Sequence, residues 1–215
     1  MAVVTKVSDE FHKYYEDNKI WANLNWMGIP MWKLPFDAMI VQDLIYKIRP
    51  DYIVETGTGM GGSSAFYSTI CETIDHGKVI TVDIENKHKL ENIPSKIKER
   101  ISFIHSSSTD TGTIVAIYNR CNLKKNIVIL DSWHTHEHVL RELLLYCDLV
   151  PVGSYIIVED SHVSGHPIEW KWGNGPYEAI HEFLSTEKGK KFVIDKQCEN
   201  QIMTFNPDGF LRRVK

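Results

Sequence analysis

Cysteine is scarce and scattered in this 215-residue chain: Cys71, Cys121, Cys147 and Cys198 form no CxxC pair. A zinc ribbon and a dense disulfide framework are therefore excluded, and reduced thiols in the cytoplasm are the expectation. Long apolar runs are missing too. No stretch of about 18 apolar residues offers a membrane span, and the opening MAVVTKVSDE lacks the apolar core of a signal peptide. An excess of positive charge is also lacking. Lys and Arg number 24 against 28 Asp and Glu, a net charge of −4, so no basic field calls for nucleic acid or an anionic membrane. With 43% apolar residues, the length suits one domain with a full core and argues against a disordered chain.

What is abundant is histidine. There are ten, and six of them (His134, His136, His138, His162, His166 and His181) follow residue 130, which raises the expectation of metal binding or proton transfer in the second half. Residues 8–26 place Phe11, Tyr14 and Tyr15 at helical spacing, followed by Trp21 and Trp26. We read this as one or two amphipathic helices outside the main sheet. In FDAMIVQDLIYKIRP an apolar stripe of Met39, Ile40, Leu44, Ile45 and Ile48 predicts a helix that Pro50 stops. Beyond it, short Ile- and Val-rich runs (DYIVE, KVITVDI, ISFIH, NIVILD, SYIIVED) alternate with helical stretches. Continuous apolar runs suit strands buried on both faces of a parallel sheet. The expectation is an α/β, Rossmann-like, doubly wound and mostly parallel sheet, with ligands at the carboxyl ends of its strands. Near the end, NGPYEAIHEFLSTEKG predicts a helix from Pro176 toward Gly189, and KFVID with QIMTFN an antiparallel hairpin, with GFLRRVK closing the chain. The division expected is a helical extension over 1–35 and one domain over 36–215.

Three clusters carry chemistry. After the first of these strands the chain reads Glu55-Thr-Gly57-Thr-Gly59-Met-Gly61-Gly62-Ser63. Gly57 allows a tight turn and Gly59 lets a ligand approach the backbone. Asp83 ends the next strand, where a ribose-binding acid belongs. A carboxylate at Glu55 would repel the pyrophosphate of a dinucleotide but attract a cationic ligand; a turn with no ligand is the structural alternative. Second, Asp131 ends one strand and Glu159-Asp160 the next. Three crowded carboxylates repel one another unless a cation sits among them, and oxygen ligands favour a hard ion such as Mg²⁺; helix capping and ordinary hydrogen bonds are the alternative. Third, His134, His136 and His138 form HTHEH. Imidazoles at alternate positions could hold Zn²⁺ in a hydrolase, although the spacing fits neither the His-x-His-x-Asp-His pattern nor an early-strand HxH. No histidine has an acid two residues later, which disfavours a two-His, one-carboxylate iron oxygenase.

The Glu-x-Gly-x-Gly-x-Gly turn resembles motif I of class I S-adenosylmethionine-dependent methyltransferases, and Asp131 with Glu159-Asp160 resembles the magnesium site of catechol O-methyltransferase-like enzymes. The match is closer to the cephalosporin hydroxylase / rhamnosyl O-methyltransferase family. Its features recur in KLPFDAMIVQDLIYKIRPDYIVETG, DSWHTHEHV, YIIVEDS and GFLRRV, across residues 30–214. The resemblance implies a Rossmann-like methyltransferase fold, S-adenosyl-L-methionine, Mg²⁺ and methylation of a hydroxyl on a sugar or natural product. It assigns the cofactor to Glu55, Gly57, Thr58, Gly59, Ser63, Asp83, Ser107, Ser108 and Asp131, and the metal to Asp131, Glu159 and Asp160. His134 looks equivalent to the base of the catechol enzymes, where a Lys stands; a free imidazole titrates near neutrality, and a solvent-facing loop residue is the alternative. Ser107 or Ser108 would lie beside the adenine, ahead of Asp110. Motif I here reads TGTGMGG, with a Thr after the acid, and the resemblance assigns no residues to the acceptor. SHVSGHPIEWKWGNGPYE reads as a lid in which Trp170 and Trp172 stack on the acceptor, or simply pack on the sheet. The partner is a small-molecule hydroxyl acceptor, and a homo-oligomer is allowed. A zinc hydrolase and a non-catalytic binding subunit are the rival readings.

Overall fold

The computed structural model describes residues 2–169 and 173–215. The chain opens with α1 (Ala2–Asp17), a hairpin of β1 (Asn25–Trp26) and β2 (Ile29–Pro30), and α2 (Pro35–Ile48). Strands and helices then alternate: β3 (Tyr52–Thr56), α3 (Gly62–Thr73), β4 (Lys78–Asp83), the single-turn α4 (Ser95–Lys98), β5 (Ile101–His105), α5 (Thr111–Cys121), β6 (Asn126–Leu130), α6 (His136–Tyr146) and β7 (Tyr155–Val158). The end contributes α7 (Pro176–Ser185), β8 (Phe192–Ile194) and β9 (Phe210–Arg213). The main sheet runs β5-β4-β3-β6-β7-β9-β8. Its first five strands are parallel, and β9 is antiparallel to both neighbours. This is the doubly wound sheet expected from the Ile/Val runs.

β6 is fully buried along its length, and after Asn126 it reads as uninterrupted Ile, Val and Leu. One face packs against α5, α6 and α7 through residues such as Ile117, Leu143 and Phe183; the other packs against α2 and α3 through Val41, Ile45 and Tyr67. From β3 the chain winds outward to β4 and β5, then returns to the other side of β3 as β6. That reversal opens a crevice at the strand ends.

Three expectations are corrected. QIMTFN is not the partner of β8; β9, from GFLRRVK, pairs with both β7 and β8. QIMTFN instead doubles back without regular structure, fixed by the Phe205 N–H to Asp37 carboxylate bond at 2.7 Å and by Met203 and Phe205 packing on Tyr15 and Leu34. Alternating side chains at a sheet edge and in a buried loop read alike, and only the long-range bond separates them. In α1, Tyr15 and His12 face inward, three residues apart, while Phe11 and Tyr14 are exposed. In α2 the inner face is Ala38-Val41-Leu44-Ile45, and Met39 lies outside. No helix among the described residues is long and apolar enough to cross a membrane.

Candidate active site

Strand register builds the site. Thr56 pairs with Leu130 and Leu130 with Val158, so the residues one step beyond (Gly57, Asp131 and Glu159) emerge side by side. Backbone bonds continue that order, from Asp131 N to Thr56 O at 3.0 Å and from Glu159 N to Leu130 O at 2.9 Å. Gly57, at φ +84°, lies so close to the Asp131 carbonyl that any Cβ would strike it. Gly59 differs: at φ +50° it has nothing within 4 Å of where a Cβ would stand. One glycine closes the turn onto β6, and the other leaves the backbone open to a ligand.

Two clefts meet here. The first, about 480 Å³, is lined by Gly57, Thr58, Gly59, Asp83, Ser107, Ser108 and Asp131, together with Ile84, Trp133 and His138. The second, about 540 Å³, is lined by Lys13, Glu16, Asp17 and Trp21 from the N-terminal region and by His162, Ile168 and Phe205 from the far end. Trp32, His134 and Asp160 line both. Trp32 meets Trp21 edge-on, with ring centres 6.0 Å apart. Trp170 and Trp172 of the expected lid lie outside the described residues.

In the first cleft, Asp83 Oδ2 accepts the Gly59 N–H at 2.9 Å and Oδ1 accepts that of Glu85 at 2.8 Å. The acid is thereby held against the glycine turn. Glu55 and Ser63, expected on the cofactor, are not on the cleft wall. Glu55 is fully buried beneath the turn and accepts hydroxyl hydrogens from Ser63 at 2.5 Å, Thr81 at 2.7 Å and Ser64. Burial pushes its carboxyl up to about 7 despite those bonds. Its position supports the glycine turn from below. Asp110 caps α5 through the Thr113 N–H at 3.0 Å.

The three histidines of HTHEH diverge. His134 Nε2 lies 3.4 Å from Asp160 Oδ2 and 3.9 Å from Asp131 Oδ1. His136 Nε2 turns to Glu182 at 2.9 Å. His138 Nε2 lies 3.0 Å from the Ser132 hydroxyl, which donates to the buried Glu142 at 2.8 Å. A three-histidine zinc site is therefore not formed. Among the described residues, the donors that converge for a metal are Asp131, His134 and Asp160, one atom of each within 4.8 Å of the others. Asp160, at φ +56°, is turned back toward His134. Burial raises the carboxyls of Asp131 and Asp160, opposed chiefly by Lys33 at the first and by His134 at the second.

Sequence reasoning missed two residues at this centre. Lys33, only 4% exposed, puts its ammonium 2.9 Å from Asp131 Oδ2 and 3.0 Å from Glu159 Oε1. Asn206 gives its amide to Glu159 Oε2 and accepts the Asp160 N–H, both at 2.9 Å. Glu159 thus turns inward to Lys33 and Asn206, while Asp131 Oδ1 and Asp160 face His134. Lys33 opens the KLPFDAM segment and Asn206 closes QIMTFN, but neither segment's own pattern points to a partner so far along the chain.

A match to the Rhamnosyl O-methyltransferase/CmcI family spans residues 18–214. The chain belongs to that family. The rhamnosyl O-methyltransferase of Mycobacterium bovis (strain BCG / Pasteur 1173P2) is 37% identical over 211 residues, covering 96% of this chain and 85% of that protein. The Mycobacterium leprae enzyme of the same name is 34% identical over 211 residues, covering 96% and 90%. Among solved structures, CmcI with Mg and SAM superposes at a TM-score of 0.65 with 23% identity, covering 90% of this chain and 78% of that one. At that identity the likeness speaks to the fold. The protein is accordingly an S-adenosylmethionine-dependent O-methyltransferase by family, with a Rossmann-like methyltransferase fold.

Proposed function

We propose that the protein methylates a hydroxyl of a sugar or sugar-bearing natural product, using S-adenosylmethionine in the first cleft and a divalent ion, Mg²⁺, at the wall between the clefts. The observation that carries this reading is that His134 and Asp160 line both clefts at once. A methyl donor on one side and an acceptor on the other would meet only there. The mycobacterial relatives are named for a rhamnosyl acceptor, which supports a glycosyl group as substrate.

The residues present fit both groups. For the cofactor, Asp83 offers carboxylate oxygens beside the open backbone at Gly59, and the exposed apolar side chains of Ile84 and Trp133 flank the cleft where a planar base would lie. For the metal, Asp131 and Asp160 supply the hard oxygen donors that Mg²⁺ prefers, with Glu159 fixed directly behind them. When bound, the sulfonium supplies an electrophilic methyl group and Mg²⁺ polarises the acceptor hydroxyl. His134 stands at the junction with Nε2 against the two carboxylates and is the group positioned to take the hydroxyl proton. The aromatic faces of Trp21 and Trp32 suit a pyranose ring, with Glu16 and Asp17 available to its hydroxyls.

Calorimetry with S-adenosylhomocysteine, with and without Mg²⁺, tests the cofactor half, and labelled methyl transfer to a panel of rhamnosides and other glycosides tests the acceptor half. No binding of the product nucleoside sinks the reading. Tight binding without turnover on any acceptor favours a binding subunit instead.

A further inference from the structure

Lys33 is the one full positive charge found in contact with the carboxylate centre among the described residues, yet it lines neither cleft. A buried ammonium is costly unless opposite charges surround it. Here Asp131 and Glu159 do so from two adjacent strands. Its placement is rigid: Met31 and Leu34 on either side are buried in separate core clusters, the Lys33 N–H bonds Met31 O at 2.7 Å, and Pro35 starts α2 two residues on. The ammonium enters from the inner side of the centre. It takes Asp131 Oδ2 and Glu159 Oε1 and leaves Asp131 Oδ1 and Asp160 toward His134. Three carboxylates and one ammonium leave a formal charge of −2, which a single divalent ion would neutralise.

We propose that Lys33 is a built-in counter-cation and positioning residue of this centre: it keeps Asp131 and Glu159 oriented before any divalent ion arrives, and it weakens ion binding enough for exchange. The second half rests on the metal reading above; the first stands without it.

Two variants test it, Lys33→Met and the double variant Lys33→Met/Glu159→Gln. Met keeps most of the side-chain volume, and the double variant restores the formal charge of −2. With chelator present, Lys33→Met is expected to lower the thermal midpoint by about 10 °C, and adding Glu159→Gln should recover most of that loss. An unchanged midpoint, or a double variant no more stable than the single one, would overturn the counter-cation. Titration with Mg²⁺ or Mn²⁺, without cofactor or acceptor, should show Lys33→Met binding the ion on the order of tenfold more tightly. Unchanged affinity overturns the second half. If Lys33→Met does not fold, a folded double variant supports the proposal and an unfolded one overturns it. Should the unaltered protein bind neither ion, the metal reading fails, while the stability comparison still decides the first half.

Discussion

The two clefts are built by opposite strategies. The first is assembled from strand ends within one sheet: the glycine turn after β3, Asp83 at the end of β4, the serines after β5 and Asp131 after β6. The second joins α1 and the Trp21–Trp32 segment to residues 160–169 and to Phe205. A cleft made of strand ends inherits its geometry from sheet register, so the same backbone can serve any acceptor. A cleft made of chain-distant segments is held by individual side-chain contacts and is free to change with the substrate. Their shared wall of Trp32, His134 and Asp160 is where the two constructions meet.

The largest effect should come from that wall. Asp160→Asn preserves a residue type that tolerates positive φ but removes the charge. Turnover should fall by on the order of a thousandfold and Mg²⁺ binding by calorimetry should vanish, while S-adenosylhomocysteine affinity stays within about threefold. Equal losses of cofactor and metal binding would blur the division between clefts. Next, Gly57 and Gly59 separate the turn from the ligand surface. Gly57→Ala, which drives a Cβ into the Asp131 carbonyl, should cost about 3 kcal/mol of stability or more by denaturant unfolding. Gly59→Ala should cost about 1 kcal/mol yet weaken cofactor binding at least tenfold, because its Cβ would enter the open cleft.

Aromatic truncations sharpen the comparison further. Trp21→Ala should raise KM for the acceptor about tenfold and leave cofactor affinity alone, whereas Trp32→Ala should weaken both, measured by initial rates over each substrate. The last test reads stability alone, through its pH dependence. Burial pushes the Asp37 carboxyl up to about 8 from an ordinary 3.8. The folded state therefore keeps a proton that the unfolded chain releases, and stability falls as pH rises from about 4 to about 8. Asp37→Asn can still accept the Phe205 N–H, so it should flatten this slope and raise the thermal midpoint at pH 9 relative to the unaltered protein. A steeper slope in the variant would assign the effect elsewhere.

What the sequence made legible follows the same division. Ile/Val runs ending on Asp83, Asp131 and Glu159 gave away the sheet and the order of its acids, because parallel pairing in register forces consecutive strand ends together. Asp131 and Asp160 fall together as neighbouring strand ends should, and His134 stands beside both, where the resemblance put it. Glu55 shows the limit of motif reasoning: the acid stands where the pattern expects it, but its carboxylate faces three hydroxyls under the turn. Lys33 and Asn206 were missed because a segment's own pattern does not name its distant partner: Lys33 opens KLPFDAM and Asn206 closes QIMTFN, yet their contacts lie 98 residues away at Asp131 and 47 at Glu159. QIMTFN misled for a related reason, since alternation reports that a segment is half-buried and is silent about what buries it.

The bond between Asp37 and the Phe205 N–H spans 168 positions, and Asn206 follows directly to brace Glu159 and the Asp160 backbone. The strands that carry the glycine turn and Asp131 pair with each other directly, whereas Glu159 and the Asp160 backbone lean on this loop. Asp37 lines neither cleft, yet two consecutive loop residues link it to the acidic centre, so a change there would reach the acids through the backbone rather than through either ligand.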